Sequence, residues 1–122
     1  MTDRQALKRA YKAQRPAMGI YAIRSRRTGR QYLGASVNLP AIFNRERIQL
    51  RTGAHRCDAL QQDWRQHGED AFEFVVLDEL SWPEDAPDYQ PQADLDTLLA
   101  LWFERSPSAN LYAAPRGQRA LT

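Results

Sequence analysis

Gly19-Ile20-Tyr21-Ala22-Ile23 and Gln31-Tyr32-Leu33-Gly34 decide the fold. Both are short runs of aromatic and β-branched residues, which fit a pleated, half-buried surface. The stretch between them is polar and centred on Thr28-Gly29. This pattern predicts two strands joined by a loop, a β-hairpin, with Arg24, Arg26, Arg27 and Arg30 around its turn. The hairpin carries one tyrosine on each strand, each close to a glycine. Glycine lets a backbone or a ligand approach closely, and a tyrosine hydroxyl can bond a phosphate or pass a proton through water. The simplest reading of a tyrosine pair taken alone is still that both rings pack.

Working outward, residues 2–14 carry a helix signal. Thr2 and Gln5 are spaced as a capping box, Leu7 and Tyr11 lie four apart, and Arg15-Pro16 stops the helix. After the hairpin, Ser36 to Asn38 can cap a helix running to about Arg51, ended by Gly53, with Leu39, Ile42 and Phe43 as its inward stripe. A third helix is expected over 57–67, with Leu60 and Trp64 four apart and Gly68 as its stop. The run Phe72-Glu73-Phe74-Val75-Val76-Leu77 is the clearest strand. Residues 82–93 are acidic and hold Pro83, Pro87 and Pro91, so they are expected to form a loop. Leu95, Leu98, Leu99 and Trp102 then mark a helix over about 94–105. The order predicts a small α+β fold, a three-stranded antiparallel sheet flanked by helices. Its parts are a helical extension at 1–16, a domain at 17–112 and a tail at 113–122.

The 122 residues suit one domain. No apolar run approaches the roughly 18 to 20 residues of a membrane span, and the first residues lack the apolar stretch of a secretory signal, so a soluble, cytoplasmic protein is expected. One cysteine, Cys57, permits no internal disulfide, and His55 and His67 alone make no zinc constellation. The net charge of +2 hides an asymmetry. Residues 1–65 hold 14 Arg and Lys against 4 acids, or +10, and residues 66–122 hold 3 against 11, or −8. The arginine fork suits phosphate oxygens, so the basic half reads as a polyanion-binding face. Charge pairing between the two halves is the plainer alternative.

Gly19-Ile20-Tyr21 followed by Tyr32-Leu33-Gly34 resembles the paired motif that names the GIY-YIG nuclease family, at the usual spacing. The similarity continues through Ser36, Asn38-Leu39, the Gly53 to His55 turn, Leu60-Gln61, Trp64, His67-Gly68, Phe72-Glu73-Phe74, Trp102 and Asn110, covering roughly residues 19–112. In that family a metal ion, usually magnesium, helps a water attack a DNA phosphodiester. The resemblance implies Tyr21 as a base or water-positioning group, Tyr32 as its hydrogen-bonding neighbour, His55 as a histidine near the site and Asn110 as a supporting polar residue. It also implies DNA as partner and Mg2+ or Mn2+ as cofactor if the chain is active, and none otherwise.

Two charges of that pattern are missing. The metal-ligating glutamate position falls on Leu99, and leucine offers no hard oxygen donor to magnesium. The arginine position falls on Ile42, and a histidine often found four residues later falls on Glu46. Arg45, three residues after Ile42 and on nearly the same helix face, is the candidate substitute at the phosphate. Asp96, three before Leu99, is a weak candidate for the metal and otherwise an ordinary acid in a first helical turn. DNA contacts are expected from some of Arg24, Arg26, Arg27, Arg30, Arg47 and Arg51, together with Arg45. Three functions follow: a DNA endonuclease with a rearranged site, a catalytically silent DNA-binding module of the same fold, and a protein-interaction module using the acidic loop Glu84, Asp85 and Asp88 with Tyr89.

Overall fold

The computed structural model describes residues 15–113. The expected helix over 2–14 and the tail from residue 114 lie outside them. The hairpin is β1, Met18–Ser25, and β2, Gln31–Ser36. Two helices follow, α1 at Leu39–Thr52 and α2 at Asp58–His67, then a 3-10 turn at Glu69–Ala71, β3 at Phe72–Leu80, α3 at Gln92–Arg105 and a second 3-10 turn at Ser108–Asn110. The sheet has the order β2-β1-β3 with both pairings antiparallel.

The helix boundaries follow the expected chemistry. The Asn38 side chain accepts from the Ala41 N–H and caps α1, and Pro40 sits in the first turn where no intrahelical donor is needed. Gly53 closes α1 in the left-handed conformation, with φ of 80°, and its N–H returns to the last carbonyls. β3 runs three residues beyond the expected Leu77. Between Ile20 paired with Asp78 and Tyr21 paired with Val76, β3 carries an extra residue, a bulge that lets the strand continue past its apolar run. Asp78 there accepts a hydrogen bond from the Trp102 indole at 3.1 Å, tying α3 to the sheet.

Strand alternation divides the core. Tyr21 and Ile23 of β1, Tyr32 of β2 and Phe72 of β3 share one buried cluster with Leu39 and Leu50 of α1 and Leu60 and Trp64 of α2. Ile20, Ala22 and Leu33 alternate to the other face, where α3 packs against β1 and β2 and buries Leu95. The sheet is thus the middle of three layers, and a site at the β2 edge can draw residues from α1 on one side and α3 on the other. No helix among the described residues is long and apolar enough to cross a membrane.

Candidate functional site

At the β2 edge lies a cavity of about 200 Å³. Tyr21 and Tyr32 both line it, because Tyr21 pairs with Gly34 and Ile23 with Tyr32, which puts both tyrosines on one face two residues apart. Gly34 is where the geometry demands glycine: a β-carbon there would lie 2.5 Å from the Cζ and hydroxyl oxygen of Tyr21. Ile42 enters from α1, and Leu99 and Phe103 enter from α3. The two positions where the family pattern has charges therefore meet the tyrosines in a single cavity, and both are hydrocarbon.

Among the described residues one charged side chain lines the cavity: Arg56, exposed on the connection between α1 and α2. The sequence reading missed it, because an arginine in a loop three residues past a helix-ending glycine has no periodic signal. Arg45 is exposed one turn of α1 beyond Ile42, outside the lining. Both guanidiniums favour ionisation of Tyr21, Arg56 more than Arg45, but they are outweighed. Burial first, then the charge of Glu46 and the neighbouring Tyr32, push the Tyr21 phenol well above its ordinary value of about 10. Its hydroxyl therefore stays protonated at neutral pH.

Both tyrosines are also ordinary members of the core. Tyr21 is 4% exposed and meets Phe43 edge to face at 5.6 Å between centroids. Tyr32 is 8% exposed and meets the His55 ring edge to face at 5.1 Å. His55 is buried, and both its ring nitrogens have partners. Nδ1 accepts the Cys57 backbone N–H at 3.0 Å, which places the ring proton on Nε2, where it donates to Oε2 of Glu46 at 3.0 Å. The Glu46 and His55 side chains are both fully buried, and Oε1 of Glu46 has no hydrogen-bond partner among the described residues. Gln61 stitches the same turn, accepting from the His55 N–H and donating to the Leu50 carbonyl.

The other candidates are placed elsewhere. Asn110 is exposed in the second 3-10 turn and does not line the cavity, although Ala113 does. Asp96 is exposed on α3 and accepts from the Gln92 amide at 2.8 Å. No group of three or more His, Cys, Asp or Glu able to hold a metal exists among the described residues. The cavity's donor set, two buried phenols and an arginine amid hydrocarbon, does not fit Mg2+ or Mn2+, which want several hard oxygens.

Several of the expected DNA-contacting arginines are engaged within the chain. Arg24 donates twice to Gln31 Oε1 and once to Glu73. Arg51 makes a bidentate pair with Glu69 at 2.7 Å, and Arg47 lies 3.9 Å from Glu69 and over the Phe74 ring. Arg30 stacks over Tyr112 and lies 3.9 Å from Asp63. Arg26 donates to the Phe72 carbonyl at 3.4 Å and, with Arg47, borders a second open cleft together with Glu69 and Asp70, so the charges there balance. Arg27, Arg45 and Arg56 have no side-chain hydrogen bond or ion pair among the described residues. In the acidic loop Tyr89 donates to Asp94 and packs edge-on against Trp82, whose indole donates to the Pro16 carbonyl. No residue of 82–93 lines the cavity.

No family model and no curated protein matches the sequence. Two solved structures do match in three dimensions. The catalytic domain of the intron endonuclease I-TevI, as a glutamate-to-alanine mutant, has 22% identity and a TM-score of 0.66, over 80% of this chain and 92% of that one. The catalytic domain of the homing endonuclease I-TevI has 22% identity and a TM-score of 0.65, over 78% and 95%. With its three-stranded antiparallel sheet and three helices, this chain has a GIY-YIG-like nuclease fold.

Proposed function

We propose that this protein binds DNA through backbone phosphates at the mouth of the tyrosine cavity and does not carry out metal-dependent cleavage. One observation carries the reading: Ile42 and Leu99 line one cavity with Tyr21 and Tyr32, with Arg56 as the single charge there among the described residues. Hydrolysis of a phosphodiester needs positive charge where the transition state gathers negative charge, and a metal ion supplies several kcal/mol of that stabilisation. Hydrocarbon supplies none. Arg56 is suited to anchoring a phosphate, since a guanidinium presents paired donors to phosphate oxygens.

Retention of both tyrosines needs no catalytic explanation, because each is packed in the core. Tyr21, held protonated, is a hydrogen-bond donor and not a base. The similarity in fold to the I-TevI catalytic domain supports DNA as the partner, as do Arg27, Arg45 and Arg56. The test is incubation with labelled single-stranded, duplex and branched DNA, in magnesium, in manganese and in chelator, with binding and cutting scored separately. A shifted band without nicks is expected under every condition. Nicks that appear with metal and vanish with chelator would overturn the reading, and absence of binding even at low salt would turn it toward a protein partner.

A further inference from the structure

The rim and the interior of the cavity have opposite electrostatic character. At the rim stands Arg56, exposed and without a protein partner among the described residues. Inside, the walls are Ile42, Leu99 and Phe103, with the two phenols as the polar groups. Glu46, one turn along α1 from Ile42, is fully buried outside the lining, one carboxylate oxygen unpartnered among the described residues and the other bonded to His55. A phosphate seated wholly among these apolar side chains would lose its water, and burying a charge is strongly unfavourable unless it is paired, so the exposed Arg56 holds it on the outer side. A flat, neutral group with hydrogen-bonding edges meets no such penalty. Hydrocarbon from Ile42, Leu99 and Phe103 covers its faces, and the Tyr21 phenol, which lines the same cavity, can donate to its edge.

Size narrows the choice. At about 200 Å³ the cavity lies below the roughly 300–1,000 Å³ of pockets that enclose larger ligands, the scale of one planar ring and its substituents. Resting on the DNA-binding reading above, we propose that the cavity receives a single unpaired nucleobase of the bound DNA while its phosphate lies on Arg56. The two aliphatic residues are then the walls of a base pocket. Taking a base out of a stack is least unfavourable where it is already unpaired, so the protein should prefer DNA with a bulged or mismatched base over perfect duplex.

Binding is measured by anisotropy on a perfect duplex and on the same duplex with one bulged base, and again with 2-aminopurine at the bulge. The bulged DNA should bind about tenfold tighter, equivalent to about 1.4 kcal/mol. That ratio should persist as salt is raised, because the phosphate contacts are common to both. The enclosed 2-aminopurine should become protected from acrylamide quenching. Leu99→Trp, which fills the cavity, should bring the ratio to about one and remove the protection, provided its melting curve shows a folded protein; Ile42→Phe serves as a second filling variant. A wild-type protein that binds both DNAs equally and leaves 2-aminopurine fully quenchable overturns this inference while leaving DNA binding intact. Absence of binding to either DNA overturns the DNA-binding reading, and this inference with it.

Discussion

Leu99 and Ile42 line one small cavity with Tyr21 and Tyr32, and the proposed binding role rests on their being hydrocarbon. Leu99→Glu with Ile42→Arg should therefore create magnesium or manganese affinity, read by calorimetry, and raise cleavage above the wild-type level. Each kcal/mol of transition-state stabilisation is worth about fivefold in rate. Tyr21→Phe in that background should remove most of the gain, and a folded double variant that binds no metal would show that the two positions do not form the family's site. Tyr21 yields a pH prediction of its own. Its phenol is raised in the folded chain by burial and by Glu46, whereas in the unfolded chain it titrates near 10. Below that pH both states hold the proton and stability does not depend on it. As pH rises beyond about 10 the unfolded state alone releases the proton, so this contribution is lost with increasing alkalinity. Absorbance at 295 nm should show a step of tyrosine ionisation accompanying alkaline unfolding, and Tyr21→Phe should reduce that step by one phenol.

At the scale of elements, the hairpin was legible because aromatic and β-branched runs around a polar turn can hardly be read otherwise. The caps were legible too, since Asn38 and Gly53 act through neighbouring backbone groups. The extra length of β3 was not, because Asp78 and Glu79 break the apolar pattern and are held in the strand by pairing with β1 across a bulge. The two 3-10 turns also left no periodic trace. Gly34 joins the hairpin to the cavity, for any side chain there displaces the Tyr21 ring. Gly34→Ala should lower stability by about 1–3 kcal/mol, the usual penalty of overpacking, measured by urea unfolding. An unchanged midpoint would mean that Tyr21 is free to swing away and is not locked by Phe43. Gly19 is constrained differently, since a β-carbon there would collide with the backbone carbonyl of Asp78.

For the whole molecule, the charge asymmetry along the chain turns partly inward. Arg24, Arg47 and Arg51 from the basic half bind Glu73 and Glu69 from the acidic half, and Arg30 lies near Asp63. Exposed pairs of this kind contribute little to stability, typically about 0–1 kcal/mol, but they occupy side chains that composition alone would count toward DNA. Arg27, Arg45 and Arg56 remain, with Arg26 held by one long contact to a carbonyl. Three to four phosphate contacts at about 0.9 each give a slope of log affinity against log salt of roughly −2.7 to −3.6 on duplex DNA. Arg56→Gln should reduce that slope by about one contact and Arg51→Gln should leave it unchanged. Equal losses from both variants would mean that the Arg51 pair opens on binding DNA.

The hairpin, the order of the described elements and the aliphatic character of Ile42 and Leu99 were determined by the sequence alone, because propensity and capping act over a few residues. Only the tertiary structure decided what those positions became. Ile42 and Leu99 lie 57 residues apart and meet because α1 and α3 cover opposite faces of one sheet edge. Arg56 came to a cavity lined by β1, β2 and α3, and Glu46 was drawn inward to His55 where the chain turns back after α1. Burial and charge pairing depend on what surrounds a side chain in space, and a linear pattern carries no record of that.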